Sequence, residues 1–97
     1  MILETAVFSI RPGEAQLFRD TFSKARKFIE NSKGFHRLEL RQGIEVPDSF
    51  VLVVWWETLE DHTQGFRGSA GYQDWKKLLH HFYEPFPTVE HFTLTNG

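Results

Sequence analysis

Apolar positions along this chain alternate, then recur every third or fourth residue, then alternate again. From Ile2 to Ile10 the alternation sets Ile2, Ala6, Phe8 and Ile10 on one side and Leu3 and Val7 on the other, which predicts a strand apolar on both faces. Arg11-Pro12-Gly13 interrupts it, and Pro12, lacking an N–H, suits the opening turn of a helix. From about Glu14 onward Ala15, Phe18, Phe22, Ala25 and Ile29 form a stripe at spacings of three and four. Lys24, Arg26, Lys27 and Glu30 lie opposite it, so the segment reads as an amphipathic helix that Asn31-Ser32-Lys33-Gly34 brings to an end. Phe35 to about Gly43 alternates His36, Leu38 and Leu40 against Arg37, Glu39 and Arg41, a charged second face suited to an edge strand. Ile44 to Ser49, with Pro47-Asp48, connects this strand to the next.

The run Phe50-Val-Leu-Val-Val-Trp-Trp-Glu57 carries the most information. A strand in a small antiparallel sheet usually shows one apolar and one polar face. Here Phe50, Leu52, Val54 and Trp56 line one face and Val51, Val53 and Trp55 the other, so both need cover. Thr58 then caps a short helix, with Asp61 three residues on as an imperfect capping box. Gly65, Gly68 and Gly71 break that helix, and Ser69 restarts it for a longer one carrying Tyr72, Trp75, Leu78, Leu79 and Phe82. Pro85 and Pro87 close it, and Thr88 to Thr95 reads as a last strand. The order strand, helix, strand, strand, broken helix, strand predicts an α+β, ferredoxin-like β-α-β-β-α-β domain over residues 1–97, with a four-stranded antiparallel sheet and both helices on one face. The other face would expose a continuous apolar patch of a kind soluble monomers rarely tolerate, which predicts a homodimer.

Composition narrows the chemistry. Eleven Lys and Arg against thirteen Asp and Glu give a net charge of -2, which gives no reason to expect nucleic acid or an anionic membrane as partner. There is no cysteine for a disulfide, a thiol nucleophile or a thiolate metal site. With no signal-like segment and no run of about 18 apolar residues, the chain reads as soluble and cytoplasmic. Aromatic residues make up 15%, including ten Phe and three Trp, an excess that fills either a core or a pocket for a planar ligand.

Arg11-Pro-Gly-Glu14, Gly34, the block Val54-Val-Trp-Trp-Glu-Thr-Leu-Glu-Asp-His62, Tyr72-Gln-Asp-Trp75 and Val89-Glu-His-Phe92 resemble the antibiotic biosynthesis monooxygenase domain over nearly the whole chain. The resemblance implies a dimeric α+β barrel, with a pocket between each sheet and its own helices. Some members of that family oxidise anthrone-type or quinol-like aromatics with molecular oxygen and without metal or flavin; others degrade haem, isomerise or bind small metabolites. Haem-degrading members place an axial histidine ten residues after the strand-end tryptophan. Counting from Trp56 or Trp55, this chain has Phe66 or Gly65 there, and neither binds iron.

The candidate catalytic residues are His62, as a base titrating near neutrality, and Trp56, as a stacking platform with one N–H donor. Trp56, Phe66, Tyr72, His36 and Trp75 are the candidate substrate contacts, with Phe66, Tyr72 and Trp75 forming an aromatic wall. Trp55 falls on the interface side. His80, His81 and His91 show no ligand spacing, and no metal or other cofactor is expected. The function expected is cofactor-independent oxygenation of a small planar aromatic substrate; the alternative is a non-catalytic ligand-binding or sensing dimer.

Overall fold

The structure is a computed structural model that describes residues 1–95. Strand β1 spans Ile2–Ser9, helix α1 Ala15–Glu30, β2 Phe35–Gln42 and β3 Ser49–Trp56. A π turn, Asp61–Phe66, precedes helix α2, Ala70–Leu79; a 3₁₀ turn, His80–Phe82, follows it, and β4 is Thr88–Thr93. The sheet is antiparallel throughout in the order β2-β3-β1-β4. Consecutive β2 and β3 pair directly, while each helix carries the chain across the sheet, which is the ferredoxin-like arrangement read from the sequence.

Both helices bury their apolar stripes on one face of the sheet. Phe18, Phe22, Ala25 and Ile29 of α1 and Trp75 and Leu79 of α2 meet Ala6 and Phe8 of β1 and Phe50, Leu52, Val54 and Trp56 of β3. Phe18 packs edge-on against Phe50 and Phe82, with ring centres 5.0 and 5.6 Å apart. At about 25 cal/mol per Å² of apolar surface, rings of this size dominate the burial. The opposite face carries no helix. Val51, Val53 and Trp55 stay half-exposed there and Val7 is exposed, with the Arg37 guanidinium 4.6 Å from the Trp55 ring.

Local chemistry explains the boundaries. Thr58 and Asp61 cap reciprocally, each backbone N–H donating to the other's side-chain oxygen at 3.2 and 3.1 Å, so the capping box is complete. The Ser69 hydroxyl accepts from the Tyr72 N–H and starts α2, as its position predicts. Gly34 sits at φ +82°, where an added Cβ would also collide with the Asp61 carboxylate. Four expectations change. Pro12 does not open α1; with Gly13 at φ +82° it forms a tight turn closed by the Glu14 N–H donating to the Arg11 carbonyl at 3.1 Å, and the helix starts only at Ala15. Gly71 lies inside α2 rather than interrupting it. Phe82, expected on α2, falls in the 3₁₀ turn that follows Leu79. The last strand ends at Thr93, not Thr95.

Candidate functional site

A cavity lies between the sheet and α2, lined by Glu4, Ala6 and Phe8 of β1, His62 and Phe66 of the π turn, and Tyr72 and Trp75 of α2. Ile29, Leu52, Arg67, His80, Tyr83, Phe86, Pro87 and Val89 complete it. Its volume is about 40 Å³, well below the roughly 150 Å³ that accepts a benzene ring in a protein core. Admitting a planar ring requires the walls to part.

Each polar group in the cavity is placed by backbone periodicity. Glu4 shares the parity of Ala6, Phe8 and Ile10 and therefore points into the helix-covered face, where it is 5% exposed. Its Oε1 accepts from the Trp56 indole N–H at 2.9 Å and lies 3.4 Å from His62 Nε2. The π turn, with its wide i to i+5 pitch, turns His62 and Phe66 inward together. His91 faces Glu4 across the β1/β4 ladder, and its Nε2 lies 2.8 Å from His62 Nδ1. One connected chain results, Trp56 to Glu4 to His62 to His91, with only the last residue half-exposed.

Burial sets the electrostatics. It raises the Glu4 carboxyl above its usual range, against the opposing effect of the Trp56 hydrogen bond and of Arg67. It pushes His62 down to about 3, with further lowering from Arg67 and His91, and it lowers His91, again helped by Arg67. Burial therefore shifts both members of the Glu4–His62 contact toward their neutral forms, and the imidazole is a hydrogen-bonding group at neutral pH, not a cation.

His62, Phe66, Tyr72 and Trp75 all reach the cavity wall. Two expectations need correction. Trp56 faces the helices but is fully buried behind the cavity: its N–H is engaged by Glu4, and its ring stacks on His62 with centres 5.4 Å apart and planes at 21°, leaving no face for a ligand. His36 does not reach the cavity. The β2/β3 register shifts between Phe35 and Arg37, so His36 is the extra residue of a bulge and turns out to the exposed Glu57 at 3.3 Å. Trp55 lies on the open face, the side read as interface.

Glu4 and His91 do not stand out when each strand is scanned for apolar residues. The available signal is parity: each occupies the strand position that packs inward, Glu4 with Ala6 and Phe8, His91 with Val89. Arg67, beside Gly68, reads as surface yet borders the cavity. Among the described residues no three His, Cys, Asp or Glu are arranged to hold a metal ion, and no helix is long and apolar enough to cross a membrane.

The chain is similar to known proteins along its length. The uncharacterized protein YczJ of Bacillus subtilis (strain 168) is 51% identical over 92 residues, covering 95% of this chain and 97% of that one. A crystal structure from Bordetella bronchiseptica, of a protein assigned as an antibiotic biosynthesis monooxygenase, superposes with a TM-score of 0.93 at 34% identity, covering 98% and 97% of the two chains. SnoaB of Streptomyces nogalater, a cofactor-independent oxygenase, shares the fold at a TM-score of 0.84 and 17% identity over 99% and 94%. Residues 1–78 match the family profile described as antibiotic biosynthesis monooxygenase, and on that match and the Bordetella likeness the chain belongs to this family.

Proposed function

We propose that this protein is a cofactor-independent monooxygenase that takes a small, planar, weakly acidic aromatic substrate, of anthrone or quinol type, into the cavity between sheet and α2. The observation that carries the reading is the buried Glu4–His62 contact on the cavity wall. A carboxyl group and an imidazole inside an apolar core each cost several kcal/mol of desolvation. Such perturbed pairs at a cavity mark sites of proton chemistry. The aromatic walls, Phe66, Tyr72 and Trp75, suit a planar ring.

In this reading the pair removes an acidic proton and leaves an electron-rich carbanion or enolate, which reduces oxygen directly. For an anthrone-type methylene the balance is CH2 plus O2 giving C=O plus H2O: one oxygen atom enters the product, the other leaves as water, and the substrate supplies all four electrons. The cavity contributes by excluding water from the anion. His62, neutral at working pH, acts with Glu4 rather than as an isolated base.

The uncovered sheet face supports a homodimer. Met1, Leu3, Trp55, Phe92 and Leu94 line an apolar cleft of about 400 Å³ there, continuous with Val7, Val51 and Val53. A second copy packed face to face would cover it.

Oxygen uptake tests the catalytic reading. With anthrone or naphthoquinol, consumption should rise above the uncatalysed rate in proportion to protein and fall in His62→Ala with the fold intact. Tight binding of these compounds with no uptake would overturn catalysis in favour of a binding or sensing module.

A further inference from the structure

We propose that Glu4, His62 and His91 form a proton-transfer chain, in which Glu4 receives the proton of the bound ligand and the two histidines pass it to solvent at the β4 edge. This rests on the ligand site proposed above but adds a direction and a division of roles. Three features of geometry carry it. Glu4 borders the cavity, and its contacts to Trp56 and His62 both fall on Oε1, so Oε2 is held by neither. His62 is 3% exposed and uses both ring nitrogens, Nε2 toward Glu4 at 3.4 Å and Nδ1 toward His91 at 2.8 Å. His91, half-exposed on the edge strand, is the member nearest to water.

A carboxyl followed by two imidazoles has two complete hydrogen-bond polarities. In the first, Glu4 is protonated and donates to His62 Nε2, His62 Nδ1–H donates to His91 Nε2, and His91 carries a proton on Nδ1. In the second, His91 Nε2–H donates to His62 Nδ1, and His62 Nε2–H donates to a Glu4 carboxylate. Passing from first to second breaks one O–H bond on Glu4, forms one N–H bond on each imidazole, breaks one on each, and releases one proton from His91 Nδ1 to water. The carboxylate so formed is the acceptor for the next ligand proton. Trp56, donating to the same Oε1 in both states, is a positioning residue.

The other charged or titratable groups at the cavity are Arg67, Tyr72, His80 and Tyr83. Arg67 favours the Glu4 carboxylate and disfavours an imidazolium at either histidine, so a proton passes through them without resting there. Tyr83 holds its proton more firmly than an exposed tyrosine because it is buried, with Tyr72 adding to the effect, so it offers no competing outlet.

Two measurements test the chain, and the first needs no turnover. Ring nitrogen shifts of His62 and His91, followed by NMR against pH, should move together with one midpoint, and that shared transition should vanish in Glu4→Gln, which still accepts the Trp56 hydrogen bond. Separate midpoints, or a transition untouched by Glu4→Gln, would overturn the chain even if the protein oxidises anthrone. In the second, Glu4→Gln should slow anthrone-dependent oxygen uptake by about 10²-fold. His91→Phe should slow it several-fold without weakening anthrone binding, with free imidazole in the buffer restoring the rate. Full activity of His91→Phe would exclude His91 as the outlet. Absence of uptake by the unaltered protein would count against the oxygenase reading alone, leaving the NMR result to decide the chain.

Discussion

The two faces of the central strands share a backbone and differ in almost everything else. On the helix side Phe50, Leu52, Val54 and Trp56 are sealed, yet among them sits a buried acid; on the other side Val51, Val53 and Trp55 face outward with no helix over them. Each face violates the usual partition, one by hiding polar groups and the other by exposing apolar ones. The buried acid beside a cavity points to chemistry within one chain, while the uncovered apolar face points to a second chain. The volumes sharpen the contrast. The cavity under the helices offers about 40 Å³ and the apolar cleft on the open face about 400 Å³. Space alone would send an aromatic ligand to the larger cleft on the uncovered face; the proposed chemistry needs the smaller cavity beside Glu4 and His62.

The largest expected effect comes from removing a sealed ring. Phe50→Ala should destabilise the fold by about 3–5 kcal/mol, whereas Val7→Ala on the open face should change the monomer by less than about 0.5 kcal/mol; urea unfolding at low protein concentration checks both. A comparable loss from Val7→Ala under those conditions would erase the distinction between the faces. Next, Trp55→Lys should weaken self-association by at least about 2 kcal/mol and leave the secondary structure intact. Sedimentation would show a shift from dimer toward monomer, and an unchanged distribution would remove Trp55 from the interface. Trp56→Phe keeps the ring but leaves Glu4 Oε1 without its N–H donor, at an expected cost of about 1–3 kcal/mol. A neutral result in thermal unfolding would mean that Glu4 does not depend on that bond.

The smallest effect is in pH. Below about pH 6.5 unfolded His62 takes a proton that folded His62 refuses until about pH 3, so its burial makes stability fall as pH drops through that window. Glu4, with its folded carboxyl raised above 4.5, acts in the opposite sense: its contribution grows as pH falls toward 4.5 and is lost as pH rises through the folded value. Glu4→Gln removes this counterweight. The loss of stability as pH falls from about 6.5 toward 4.5 should therefore be steeper than in the unaltered protein, by at most about 1.4 kcal/mol per pH unit. A shallower loss would contradict the directions assigned to the pair.

The fold was legible because its signals are periodic. Alternation in β3 set Trp55 and Trp56 on opposite faces, and the spacing of Phe18, Phe22 and Ile29 defined α1. The site was less so. His36 looked inward by simple alternation, but a bulge inserts one residue and turns it outward, and nothing in the pattern marks a bulge there. Trp56 was placed on the correct face, but its stacking partner is His62 of the same chain. A polar residue type does not announce burial, so Glu4 and His91 are marked only by their parity, which puts them inside, and only the β1/β4 register brings them opposite one another.

The three tryptophans allow the comparison of faces to be tested in one spectrum. Trp75 lines the cavity, Trp56 is hydrogen-bonded to the acid in its wall, and Trp55 lines the open cleft. Adding anthrone to nitrogen-15-labelled protein should shift the indole N–H resonances of Trp56 and Trp75 and leave that of Trp55 in place. A shift confined to Trp55 would put the ligand on the open face and contradict the site proposed for this chain.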